Sequence, residues 1–400
     1  MEASSPSICD RRAGPMSDAR EPLPCACLSR LHWNRQGPHA LCRREAGPHV
    51  RSIEETCARI GPLDVGAMEA ARARQATLTK PPGSLGRLEW LAIRLAGITA
   101  QAVPAPLARR MVFVLAADHG VVAQGVSAYP AEVTGQMVRN FAAGGAAINA
   151  LARAMNAEIL VADLGVAADL EGVSGLHRVP IAPGTADSSL GPAMSLAQAI
   201  GAVETGIALL EGEAAGLDVA CTGEMGIGNT TAAAAITAAI TGASPEAVTG
   251  RGTGLDDDRL RHKRQVVARI LAANRPDPAD GLAVLATMGG FEIGGLAGVI
   301  LGAAARRIPV LLDGYIATAA ALIAVTICPA AADYLLAGHR SAEPGHAVAL
   351  AHLGLEPLLD LGMRLGEGTG AVLALPLLDA ALAAHGGMAT FASAGVAGAE

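Results

Sequence analysis

The stretch Asp218-Val219-Ala220-Cys221-Thr222-Gly223-Glu224-Met225-Gly226-Ile227-Gly228-Asn229-Thr230-Thr231 carries a strand, a turn and a helix start in succession. Asp218–Cys221 is a short apolar run, a glycine-rich loop holding an acid follows, and Thr230–Ile240 reads as an alanine-rich helix. The pattern recurs on both sides. Met111–Ala117 leads to Asp118-His119-Gly120, and Ile159–Ala162 leads to Asp163-Leu164-Gly165. Pro309–Leu312 leads to Asp313-Gly314, and Tyr334–Ala337 leads to Gly338-His339-Arg340. Buried strands alternating with helices predict an α/β fold with a doubly wound, mainly parallel sheet. Ligands in such folds bind beyond the carboxyl ends of the strands, so polar residues scattered from 118 to 341 can converge on one site.

The flanks have a different period. Ile53, Cys57, Ile60, Val65, Met68 and Ala71, then Leu85, Leu88, Leu91, Ala92 and Leu95, predict a helical, strandless segment over 53–105. From 355 onward helices are expected again, with Leu358, Leu361, Met363 and Leu365 before Glu367 and Val372–Ala384 after it. The expected division is an α/β core over 106–354, with a small helical domain formed by 53–105 and 355–400. Residues 1–52, rich in Arg, Pro, Cys and His, read as a disordered extension or a start set too far upstream.

Composition narrows the functions. Net charge is −7 and aromatic residues make up 2%, so neither a phosphate-backbone groove nor a base-stacking platform is expected, and no nucleic-acid partner. Residues 314–332 are uncharged, but Pro329 lies within them and acids close both ends, so a buried core helix is expected and no membrane partner. Five of seven cysteines fall within the first 57 residues, which is no disulfide framework and fits a cytoplasmic location. Only Lys80 and Lys263 are lysines in a chain that otherwise uses arginine, which marks them as candidates for sites needing a compact ammonium.

Glu224 and Glu367 each lie in a glycine cradle, the second being Gly366-Glu367-Gly368-Thr369-Gly370-Ala371. A carboxylate in a water-poor pocket gains basicity and can accept a proton near neutral pH. The Gly223–Thr231 loop runs into a helix N-terminus, an arrangement that favours an anion, and Gly250-Arg251-Gly252-Thr253-Gly254 is a second cradle with Lys263 following. Neither loop has the Walker or dinucleotide spacing, and the 338–346 histidine cluster lacks metal-binding helical spacing.

Together these motifs resemble the nicotinate-nucleotide–dimethylbenzimidazole phosphoribosyltransferase family. The matching segments are Lys80–Glu89, Ala117–Val121, Gly125–Pro130, the Glu224 loop, Gly250–Asp257, Gly289–Ile293, Leu312–Gly314, His339–Gly345 and Gly366–Ala371, in order over about 53–400. The resemblance implies a Rossmann-like sheet with a small helical domain. It implies transfer of phosphoribose from nicotinate mononucleotide to 5,6-dimethylbenzimidazole, giving α-ribazole 5′-phosphate and nicotinate. By resemblance Glu367 is the base, with Glu224 beside it. Gly226, Gly228, Asn229, Thr230, Gly250, Arg251, Gly252, Lys263, Ser341 and Gly368 would hold phosphate and ribose. Ser127, Tyr129 and Gln136 would line the acceptor pocket. No cofactor and no metal are implied, and family members are homodimers. A different acceptor base, or a nucleotide-binding regulator without turnover, is the alternative reading.

Overall fold

The structure, a computed structural model, describes residues 51–397, so the expected extension lies outside the described residues except at its end. There Ser52 already belongs to the fold. Its Oγ accepts from the Glu55 amide and its own amide donates to the Glu55 carboxylate, a capping box on helix Ile53–Cys57.

Six strands form one all-parallel sheet: β1 (Arg110–Ala117), β2 (Glu158–Gly165), β3 (Leu176–Arg178), β4 (Val219–Met225), β5 (Val310–Leu312) and β6 (Leu335–Ala337). Their order, β3-β2-β1-β4-β5-β6, is that of a doubly wound Rossmann-like sheet. The chain order reverses between β1 and β4, and a crevice opens at such a point. Alternation along β1 serves both faces. Phe113, Leu115 and Ala117 join a core with helices Leu196–Glu213, Phe291–Ala304 and Tyr315–Ile327, while Val112, Val114 and Ala116 join one with helices Arg87–Thr99, Ala147–Ala154 and Thr369–Gly387. Small residues do the close packing. A Cβ on Gly206 would lie 1.8 Å from the Gly295 carbonyl oxygen, so two helices meet backbone to backbone.

The helices of the two chain ends pack on each other and on that second face. Arg74 Nε donates to the His385 carbonyl at 2.7 Å, and Gln75 Nε2 lies 3.0 Å from His385 Nδ1. These helices share their core with β1 and β4 rather than closing one of their own.

Several expectations need correction. The helical pattern from Ile53 to Ala71 breaks at Gly61-Pro62 into helices Ile53–Cys57 and Val65–Thr77, since proline restricts the residue before it. The 53–105 segment holds no strand, and an isolated bridge joins Leu78 to Thr390. Residues 355–366 form an irregular segment in place of a helix: the Leu358 amide donates to Ala337 and the Leu359 amide to Gly338, so the segment is tied along the end of β6. The apolar stretch at 314–332 is a buried helix of 13 residues, Tyr315–Ile327, followed by a short 3-10 turn. Helix Thr369–Gly387 has the length and apolar content to cross a membrane, yet Val372, Leu375 and Leu378 on it are buried against the sheet.

Candidate active site

A cavity of about 530 Å³ opens over the carboxyl ends of β1, β4 and β5. Its size suits a small ligand. Glu224, the penultimate residue of β4, enters it with Gly226, Gly228, Asn229 and Thr230 from the loop and the first turn of helix Asn229–Thr241. Glu367 comes from the opposite side, on the turn before helix Thr369–Gly387. Ser127, Tyr129, Val133 and Met137 make a partly apolar wall.

Glu367 has a backbone conformation rare for its type. Three consecutive residues are left-handed, with φ of 88° at Gly366, 64° at Glu367 and 91° at Gly368. Glycine accepts this at little cost and glutamate does not. The surroundings fix the turn. A Cβ on Gly366 would lie 2.3 Å from Glu224 Oε1, and one on Gly223 would lie 2.6 Å from the Glu367 carbonyl oxygen. The two acids are thus held by loops whose backbones nearly touch.

Asp313, just past β5, secures the turn from below. Its Oδ2 accepts from the Gly368 amide at 3.1 Å, and its Oδ1 accepts from Gly370 at 2.7 Å and Ala371 at 3.2 Å. It therefore supplies acceptors to the orphan amides that begin helix Thr369–Gly387. His339 Nε2 lies 3.5 Å from the same Oδ1.

Acids and cations meet in the cavity. Burial, with Asp313, Glu292 and Glu367 nearby, pushes the Glu224 carboxyl up to about 8, against a hydrogen bond from Asn229 Nδ2. Burial also raises Glu367, opposed by the Ile148 amide that donates to its Oε2 at 3.2 Å. Glu224 is thus poised to hold or take a proton near neutral pH, and Glu367 is shifted in the same direction. Around the 226–230 and 250–253 loops cationic groups join the carboxylates of Glu224 and Glu343. Lys263 is buried, donates to Thr230 Oγ1 at 2.8 Å, and is depressed to about 8 by its burial. Arg364 lines the cavity and donates to the Gly252 carbonyl at 2.9 Å. The N-terminal amides of helix Asn229–Thr241 add a partial positive charge.

The structure does not bring every sequence candidate to this cavity. Ser127, Tyr129, Gly252 and Ser341 line it, and Lys263 stands directly behind Thr230 and Gly252. Arg251 does not. Its side chain is half exposed and pairs with Asp257, drawn out by the acids that open helix Asp257–Asn274. Gly250 packs against Glu343 and Pro344, and the Gly368 amide is spent on Asp313, so neither is open to a phosphate. Gln136 is exposed on helix Val133–Ala142, whose Val133 and Met137 face the cavity instead. The second cradle is partly filled from within, because the Gly252 amide donates to Glu343 Oε1 at 2.8 Å. Lys80 does not line the cavity; it is buried and paired at 2.7 Å with Glu89, whose carboxylate also accepts from the Leu85 amide.

Arg364, His339 and Glu343 also line the cavity and Asp313 braces the Glu367 turn, four residues outside the sets assigned from sequence. Arg364 was hidden because 355–366 read as helix. Asp313 and His339 carried the available signal, an acid and a histidine directly after strands β5 and β6. His346, in the same cluster, is structural. It accepts from the Ser341 amide at 2.8 Å through Nδ1, and burial depresses it to about 3, which keeps the ring neutral.

The chain is similar to known proteins over most of its length. The phosphoribosyltransferase family pattern matches residues 60–396. The chain is 58% identical over 349 residues to the nicotinate-nucleotide–dimethylbenzimidazole phosphoribosyltransferase of Desulforudis audaxviator, covering 87% of this chain and 99% of that protein. It is 59% identical over 345 residues to the protein of the same name from Chloroflexus aggregans, covering 86% and 98%. The crystal structure of the Thermus thermophilus enzyme of that name superposes with a TM-score of 0.80 at 48% identity, covering 84% of this chain and all of that one.

Proposed function

We propose, because this chain belongs to the nicotinate-nucleotide–dimethylbenzimidazole phosphoribosyltransferase family, that it transfers phosphoribose from nicotinate mononucleotide to 5,6-dimethylbenzimidazole, releasing nicotinate and forming α-ribazole 5′-phosphate. The observation that carries the reading is the presence of buried acids and cationic groups in one cavity. Nicotinate mononucleotide has a pyridinium at one end and a phosphate at the other. Glu224 and Glu367 are buried in the cavity, and Lys263, Arg364 and a helix N-terminus border the same space.

The chemistry follows from these groups. The 5′-phosphate is held by the 226–230 loop, Thr230, Lys263 and Ser341, which fixes the ribose for in-line attack. The C–N bond to the pyridinium breaks and nicotinate leaves neutral at nitrogen, so no general acid is required. The benzimidazole nitrogen bonds to the anomeric carbon from the opposite face, which inverts it. The proton on the other ring nitrogen passes to Glu367, whose buried position makes it a base of useful strength. Glu224 faces the ribose, orienting it against the developing oxocarbenium charge. Val133, Met137 and Ser127 form the wall on which the acceptor base lies. The family resemblance further supports a homodimer working in the cytoplasm.

The test is nicotinate release by the purified protein. Release from nicotinate mononucleotide that depends on added dimethylbenzimidazole supports the proposal, and competing bases in the same assay rank the acceptors. Release with adenine or a phenol in preference to dimethylbenzimidazole would replace the named acceptor.

A further inference from the structure

Two motifs that the reaction leaves without a task meet in the fold. His119 follows β1 and Glu292 stands in the first turn of helix Phe291–Ala304. His119 Nε2 lies 2.6 Å from Glu292 Oε1, and their side chains are 1% and 0% exposed. Neither lines the cavity. A buried pair of this kind is a weak source of stability, because desolvation offsets its attraction. This one is also imperfect, for Glu292 Oε2 is buried without a hydrogen-bond partner among the described residues.

Its neighbours point to its use. A Cβ on Gly226 would lie 3.2 Å from His119 Nε2 and 3.3 Å from Glu292 Oε1, and one on Gly228 would lie 3.4 Å from His119 Cβ. A Cβ on Gly290 would lie 2.3 Å from His119 Cε1. The imidazole is therefore wedged between the loop that follows Glu224 and the turn that precedes Glu292. We propose that the His119–Glu292 pair is a positioning device for Glu224: the ring fixes the Gly226–Gly228 loop, and the Glu292 carboxylate sets the negative field in which Glu224 works. The proposal rests on the reading of Glu224 as a site residue.

The groups facing Glu224 come from four elements: Asp313 after β5, Glu292 on helix Phe291–Ala304, Glu367 on the turn before helix Thr369–Gly387, and Asn229 on helix Asn229–Thr241. Asp313 has His339 and three amides as partners, and Glu367 has the Ile148 amide. Among the described residues Glu292 has the imidazole alone. A Glu292→Gln variant retains the shape and removes the charge. The direct test is a carboxyl-labelled glutamate NMR titration of the full chain, with Glu224→Gln used to assign the Glu224 signal. It requires no turnover, so it is separate from the fate of the proposed reaction.

In Glu292→Gln the Glu224 midpoint should fall by on the order of one pH unit, as expected for removing one nearby charge at an effective dielectric of about 20. Nicotinate release should show the same displacement in its pH profile. A folded Glu292→Gln protein with an unmoved Glu224 midpoint overturns the proposal. Should that variant not fold, His119→Gln/Glu292→Gln, which can retain an amide-to-amide bond, gives the same reading. An unmoved midpoint there is equally fatal. A displaced midpoint, with no nicotinate release by the wild-type protein, would uphold the pair's role and reject the proposed reaction instead.

Discussion

Replacing Asp313 by alanine should detach Glu367 without touching substrate. Asp313 accepts from the amides of Gly368, Gly370 and Ala371, all buried. Stranding a buried donor costs about 1–3 kcal/mol, and the three together cost roughly 3–9 kcal/mol if none finds water. Removing a buried carboxylate returns part of that, since burial alone pushes Asp313 up against the pull of His339 and the amides. The net loss expected for Asp313→Ala is about 2–4 kcal/mol, read as a lower urea midpoint at unchanged slope. Asp313→Asn retains one carbonyl for Gly370 and Ala371 and turns an amide toward Gly368, so it should lose about 1–2 kcal/mol. Turnover should fall more than stability suggests. A shift of the Glu367 carboxylate by about 1 Å is enough for a hundredfold loss. The KM for nicotinate mononucleotide should hardly change, because the phosphate contacts belong to other loops. An Asp313→Ala protein with wild-type midpoint and turnover would refute the view that this carboxylate builds the catalytic turn.

The left-handed backbone of Glu367 predicts that Glu367→Gly unfolds at a higher temperature than Glu367→Ala, by about 1 kcal/mol, since both lose the carboxylate and only glycine relieves the φ of 64°. Calorimetric scans showing alanine equal to or above glycine would reject strain at this position. Lys263 predicts a proton linkage. Its value is depressed from 10.5 to about 8, so the unfolded chain holds the proton more tightly, and its contribution to stability is present above 10.5 and lost as pH falls through about 8. A bound phosphate reverses the depression, so nicotinate mononucleotide binding at pH near 8 should take up protons. Titration calorimetry in buffers of different ionisation heat measures the uptake. Equal heats after buffer correction in wild type and Lys263→Met would remove Lys263 from the phosphate site.

Much of this architecture is legible in sequence for a physical reason. Strands β1, β4 and β5 are buried on both faces, so each is a short apolar run, and each ends where the chain must turn and expose polar groups. Glu224 and Glu367 stand out because glycines surround them, and both line the cavity. Failures cluster where spacing is ambiguous. Leu358, Leu361 and Leu365 suggest a helix, but Leu361 and Leu365 are exposed on an irregular segment whose backbone pairs with the end of β6. Arg251 and Arg364 show the limit for single side chains. Local sequence favours Arg251, which sits among glycines, yet the acid at 257 draws it outward while Arg364 reaches in from a distant segment. The meeting of His119 with Glu292, 173 positions apart, depends on the sheet order and has no local signature.

The measurement closest to the central claim is single-turnover transfer by Glu367→Gln, with nicotinate mononucleotide binding followed on the same preparation. Glutamine is nearly isosteric and can still accept from the Ile148 amide, but it cannot take the benzimidazole proton. The account predicts nucleotide affinity within a few-fold of wild type and a rate lower by about 100- to 10,000-fold, the usual worth of a general base. Transfer at the wild-type rate would contradict it, because the proton would then have another destination and the glycine-flanked acid no part in the chemistry.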